Sequence, residues 1–311
     1  MSAKPAAKIE KINYQGWPNS YRMTNGEVEL VIIGDIGPRI IRYAFVGGRN
    51  LFHEFAGQMG KSGESIWQNR GGHRLWVAPE APPPSPVTYA LDNFPVDIQL
   101  TGGAIVATPP VEREAGLQKQ LVVRMAPAGT GVEVLHRITN MNPWTIELSA
   151  WALTVMAPGG VGFTELPPRG THPEMVAPTN PMVIWAFTDL SDERWQFTRK
   201  YVLLRQDSQS PNPQKIGSFN QETLGAYHLG KELFVKRYRA ELNKTYPDMG
   251  ASFEMFTNQE VLELETLGPM TKLSPKATVE HLERWSLHKN IRITKWTDAE
   301  LDEALRPALL M

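Results

Sequence analysis

Residues Tyr246–Leu287 read YPDMGASFEMFTNQEVLELETLGPMTKLSPKATVEHLERWSL, and within them Glu260 to Thr266 set acidic against apolar side chains in alternation. In an extended chain successive side chains point to opposite faces. Leu262 and Leu264 therefore share one face, while Val261, Glu263 and Glu265 share the other, with two carboxylates about 6.5–7 Å apart along the strand. Such a face meets water, a cation or a polar ligand. Gly268-Pro269 ends the strand, Leu273-Ser274-Pro275-Lys276 reads as a turn, and alternation resumes from His281 to Leu287. Two antiparallel strands are predicted.

Upstream of that stretch short strands recur with turn signals between them: VDIQLTGG, GAIVATPP, LQKQLVVRMAP, GVEVLHRITNMNP and TIELSAWALTVMAPGG. With no long helical period among them, this spacing predicts an all-β fold, an antiparallel β-sandwich, rather than a parallel α/β sheet. NGEVELVII adds strands near the start, and ELFVKRYRAEL a later strand with its charges on the outer face. Thr297 and Glu300 form a Thr-x-x-Glu capping box ahead of helically spaced apolar residues, which predicts one short C-terminal helix. The domain reading is a disordered lead over residues 1–13, one sandwich over 14–291 and a helical tail over 292–311.

At 311 residues and 41% apolar content the chain can bury a large core. A net charge of -1 offers no basic field for nucleic acid and no polybasic membrane patch. The absence of cysteine excludes disulfides, thiol nucleophiles and cysteine-based zinc sites. MSAKPAAKIEKI lacks the apolar core of a secretory signal, so the expected location is cytoplasmic by default, or periplasmic if a signal has been removed. Dinucleotide, P-loop, H-E-x-x-H and Gly-x-Ser-x-Gly motifs do not occur, so no cofactor and no metal are expected.

The densest polar cluster is IWQNRGGHRLWVAPE, which packs Trp67, Asn69, Arg70, His73, Arg74, Trp76 and Glu80 around paired glycines. Paired glycines let the backbone pass close to a ligand or to another strand. Flat indoles beside fixed donors are the composition of a sugar site, and a β-bulge with a Trp anchor is the alternative. The prolines from Pro79 to Pro86 read as an extended polyproline segment. His136 sits mid-strand, as a hydrogen-bonded structural histidine would. The loop ELPPRGTHPEMVAPTNP and the segment after it offer His172, Glu174, Trp185 and Asp189 as rim residues, and RQDSQSPNPQKIGSFNQET reads as a surface excursion.

The string LETLGP, followed by KLSPKATVEHLERWSL, resembles the C-terminal end of the galactose mutarotase-like (aldose 1-epimerase) superfamily, and DMGASFEMFTN is similar to the strand that precedes it there. The resemblance implies the superfamily's β-sandwich and an aldose or oligosaccharide ligand, with Glu265 as catalytic base. Lys276 stands where the family's turn has glycine. The Ile146–Pro158 stretch is similar to the strand that carries the family's acid, a histidine, but here reads Ser149-Ala150-Trp151-Ala152. His73, which can give and take protons near neutrality, is the candidate acid. Arg70 and Arg74 are expected to hold hydroxyls, Trp76, Trp151 and Trp185 to stack on the sugar, and Glu254 and Glu263 to raise the proton affinity of Glu265. The alternatives are carbohydrate binding without turnover, or polysaccharide cleavage.

Overall fold

The computed structural model describes residues 7–81, 85 and 87–309. Among the described residues the chain forms two antiparallel sheets face to face, one 11-stranded and one 10-stranded, with one α-helix, Asp298–Leu309, outside them. In the first sheet the strands run Lys8–Tyr14, Trp17–Thr24, Val28–Ile33, Arg39–Phe45, Gly72–Ala78, Ile146–Met156, Leu262–Leu267, Phe253–Thr257, Gln214–Ser218 and Met182–Ile184, with Thr271–Leu273 also paired to Ile146–Met156. The centre of the second sheet is Glu222–Leu229, Glu232–Arg239, Thr278–Lys289 and Val132–Asn140. No helix among the described residues is long and apolar enough to cross a membrane.

Alternation explains the packing. Leu262, Leu264 and Met255 of the first sheet meet Val134, Phe234 and Trp285 of the second in one buried core. Each such side chain contributes roughly 1.5–3 kcal/mol on burial. The opposite face of Leu262–Leu267 carries Glu263 and Glu265, as the sequence pattern requires. The helix lays Leu301, Ala304, Leu305 and Ala308 against Phe163, Leu203 and Val235 on the outside of the second sheet, and Thr297 Oγ1 accepts the Glu300 N–H at its start.

Three expectations change. The lead is not irregular throughout, because Lys8–Tyr14 pairs antiparallel with Trp17–Thr24. Gln214–Ser218 is not a surface excursion but a strand hydrogen-bonded to Phe253–Thr257. Lys236 does not lie on the outer face of its strand; it is buried against Glu283, whose carboxylate lies 2.7 Å from its ammonium. Half of the predicted polyproline segment, residues 82–84 and 86, lies outside the described residues. Lys276 adopts φ 68°, so the turn keeps the left-handed conformation that glycine favours although it carries a side chain.

Candidate functional site

Gly71 and Gly72 decide how the polar cluster is presented. At φ 86° and 69°, a Cβ on either would meet the carbonyl oxygen of His53 at 2.0 Å or of Ile40 at 2.4 Å. The glycines thus serve a close approach of backbone to neighbouring chain. The Gly72–Ala78 strand that follows sends alternate side chains to opposite faces, Arg74 and Trp76 outward and His73 into the sandwich.

Arg74, Leu153, Glu265, Glu254 and Gly217 form one row across five adjacent strands. Around that row a cage is built. Arg74 stacks on Trp76 at 4.4 Å and on Trp67 at 5.4 Å, and donates to Glu263 Oε1 at 3.1 Å. Trp76 packs on Trp151 at 5.6 Å and on Tyr89 at 4.9 Å. On the far side the Lys215 ammonium lies 4.8 Å from the ring centres of both Trp151 and Trp185. Gly217 leaves room for Trp185, whose ring would sit 3.3 Å from a Cβ there. Glu254 and Glu265 are buried completely, whereas Tyr89 and Trp185 are half-buried.

Glu265 Oε2 accepts the Trp151 indole N–H at 2.8 Å and a Lys215 N–H at 3.1 Å. Its Oε1 has no partner. Lys215 Nζ also forms an ion pair with Glu254 Oε2 at 2.7 Å, which leaves Glu254 Oε1 unpartnered. The Arg74 Nε and Trp67 Nε1 donors, likewise buried, have no acceptor. Outside the cage, unpartnered buried atoms are spread over Arg39, Arg70, Asp92, Glu112, Arg194 and His281.

Burial raises the Glu265 pKa above the ordinary carboxylate range, with Lys215 opposing and Glu263 adding to the rise. Burial lifts Glu254 well above it, against Lys215 and with help from Glu265 and Asp248. Burial disfavours the Lys215 charge, yet Glu254 and Glu265 outweigh it and hold its pKa above the usual value. One ammonium is thus shared by two buried carboxyls, an arrangement that favours a single negative charge on the pair.

Of the residues singled out in the sequence, Glu265, Glu254, Glu263, Arg74, Trp76, Trp151 and Trp185 come together here. His73 and Arg70 do not. Arg70 is buried against Trp17 and spends its guanidinium on the Gln58 and Lys61 carbonyls, Glu64 and Asn93, which makes it a loop anchor. Asp189 accepts bonds from Ser191 in an exposed turn, and Glu174 pairs with Thr171. Trp67, named in the same polar cluster as Arg74 and Trp76, joins the cage, and Lys215 and Tyr89 complete it without having been singled out from sequence. For Lys215 the only signal was its alternation with Ile216 behind two prolines.

His73 is corrected from cleft acid to core residue. Its Nε2 lies 2.7 Å from His136 Nε2 and its Nδ1 2.9 Å from Thr154 Oγ1. His136 Nδ1 donates to the His281 carbonyl, so His136 Nε2 accepts from His73 and His73 Nδ1 accepts from Thr154. Lys236 donates to Thr154, while Glu283 accepts from Thr266 and from the Trp285 indole. The His73, His136 and Glu283 ligand atoms lie within 4.8 Å of one another, a spacing a metal could use. Their lone pairs are already committed, and an ammonium occupies the carboxylate, so the group reads as a closed hydrogen-bond network.

Burial also makes that network sensitive to acid. Burial lowers the pKa of His281 from its ordinary 6.5 to about 3. A depressed folded-state pKa means that the unfolded chain takes the proton first, so this stability is present above about pH 6.5 and is lost as pH falls towards 3. Glu254 and Glu265 act in the opposite sense, their pKa values being raised. Comparing wild type with His281→Gln cancels them. The stability gap between the two is expected to narrow by about 2 kcal/mol from pH 7 to pH 5, read from urea unfolding; a constant gap would show that His281 takes its proton as readily in the fold as in the unfolded chain.

Two open cavities, of about 580 and 490 Å³, lie beside the helix and the Thr278–Lys289 strand. Neither is lined by Glu265 or its neighbours, and neither contains an unpartnered buried group. The cage is therefore the candidate site despite being closed.

The two-sheet sandwich is shared with solved galactose mutarotase-like structures. Solved structures sharing it include a Synechocystis protein (TM-score 0.57, 11% identity, covering 90% of this chain and 99% of that one). The galactose mutarotase related enzyme of Lactobacillus acidophilus has TM-score 0.54 and 10% identity over 90% of this chain and 98% of its own. A galactose mutarotase-like protein of Lactobacillus casei has TM-score 0.52 and 12% identity over 86% and 99%. In sequence, the chain matches no family model and no curated protein.

Proposed function

We propose that the cage binds the ring of an aldose and exchanges its anomers, with Glu265 Oε1 as the base. The observation that carries this reading is the gathering of unpartnered buried donors and acceptors, on Arg74, Trp67, Glu254 and Glu265, between indole faces. An unsatisfied buried polar group costs about 1–3 kcal/mol, so a ligand that supplies both donors and acceptors recovers that free energy on binding. Sugar hydroxyls do both, and the apolar face of the ring stacks on Trp. Exchange requires the anomeric hydroxyl to lose its proton while the ring oxygen gains one. Glu265 Oε2 is held by Trp151 and Lys215, which leaves Oε1 to take the first proton. For the ring to reach it, the half-buried Tyr89 and Trp185 must part. The presence of a galactose mutarotase related enzyme among proteins of this fold supports the same ligand class.

Sugar binding without turnover is the second reading, and Trp151 favours it. Its indole fixes Glu265 at the position where the family resemblance leads one to look for an acid, and an indole N–H does not give up its proton. Titrating a panel of aldoses against tryptophan emission, followed by anomer exchange by polarimetry, separates the two. Trp67→Phe keeps an aromatic face but removes the Nε1 donor, so affinity is expected to fall about threefold to tenfold, the worth of one neutral hydrogen bond. If no aldose changes the emission, both readings fail.

A further inference from the structure

Glu254 faces Glu265 directly in the register of their two strands. Directly opposed side chains have Cβ atoms about 4.5–5.5 Å apart, and the Lys215 ammonium reaches both carboxyls, at 2.7 and 3.1 Å. The ammonium contacts both carboxyls, but the Trp151 indole N–H goes to Glu265 alone, so the negative charge is favoured there and the proton on Glu254. The charged and titratable groups facing Glu254 are Lys215, Glu265 and Asp248. Burial and the two acids favour its protonated form, and Lys215 alone opposes it.

We infer that Glu254 is the proton donor of the site, delivering its carboxyl proton to the ring oxygen of the bound aldose. The inference rests on the aldose reading above. The proton of the anomeric hydroxyl passes to Glu265, and the electron pair of that O–H bond becomes the second bond of the new C1 carbonyl. The bond from C1 to the ring oxygen breaks with its pair on that oxygen, which takes the Glu254 proton. Rotation about C1–C2 and the reverse transfers close the ring on its other face and restore both carboxyls. Throughout, the pair carries one negative charge, which moves from Glu265 to Glu254 beside a fixed ammonium. A cation placed against both carboxyls stabilises each state without rearranging, which is what electrostatic preorganisation requires. The reaction thus needs no histidine in the cage.

Glu254→Gln keeps the shape of the side chain but has no proton to give. It is expected to bind the aldose as wild type does, to exchange its anomers about 100-fold more slowly, and to lose the alkaline limb of the pH–rate profile. The infrared carbonyl stretch of a neutral carboxyl, expected in wild type at pH 7.5 without any ligand, should vanish in the variant. Wild-type exchange in Glu254→Gln overturns the donor role and leaves the aldose reading intact. Persistence of the infrared band overturns the placement of the proton. A wild-type protein that exchanges no aldose overturns the reading and the donor role together.

Discussion

Glu265→Gln is expected to leave an aldose bound and to slow its anomer exchange by about 10²–10⁴-fold, the range over which a positioned base acts. The amide oxygen still accepts from Trp151 and Lys215, as Oε2 does now, so the cage keeps its shape. The group at Oε1 becomes an NH₂, which cannot take a proton. Glu263→Gln is the control. Glu263 accepts from Arg74, and its loss loosens that guanidinium without touching the proton path, so exchange should fall far less. Polarimetry or saturation-transfer NMR on both variants decides it. An equal loss in the two would show that the acid strand acts through its overall charge, with no single base.

The largest expected effect on stability lies between the sheets. Lys236→Met leaves the buried Glu283 carboxylate without its ammonium, and stranding one partner of a buried pair costs about 3–5 kcal/mol. Lys236 also donates to the Ala152 and Leu264 carbonyls and to Thr154, so the first sheet loses a tie to the second at its centre. Lys236→Met with Glu283→Gln should recover part of the loss, because the uncompensated charge is gone. Urea unfolding monitored by tryptophan emission measures both. A single variant as stable as wild type would mean that Glu283 is neutral in the fold.

The two networks mark what the sequence could show. Alternation in Glu260–Thr266 placed Glu263 and Glu265 on one face and Leu262 and Leu264 in the core, because a period of two is a property of the extended chain itself. The strands from Asp97 to Met156 were legible for the same reason. Which sheet a strand joins, and which of its faces turns inward, is set by tertiary pairing. His73 and Arg74 are neighbours in sequence but lie on opposite sides of a sheet, and no local signal chose the side for each. Lys236 reads as a surface residue until Glu283, far along the chain, is seen opposite it. Lys215 was lost among prolines and polar residues that elsewhere make loops, and became a site residue only through its pairing with the Glu254 strand.

Gly71 and Gly72 were equally compatible with a ligand approaching the backbone and with a strand doing so, since either needs the missing Cβ. The structure assigns them to His53 and Ile40, and their effect on the site is indirect, through the register in which Arg74 and Trp76 are delivered.

The central claim is that a sugar ring sits in the Trp67–Trp76–Trp151–Trp185 cage with its anomeric oxygen on Glu265. A crystal structure of the protein soaked with a panel of aldoses tests it most directly. The account predicts the anomeric oxygen within hydrogen-bond reach of Glu265 Oε1, the ring oxygen facing Glu254, and Arg74 Nε and Trp67 Nε1 donating to hydroxyls. A sugar bound only in the cavities beside the helix, or a cage that stays closed at saturating aldose, would contradict it.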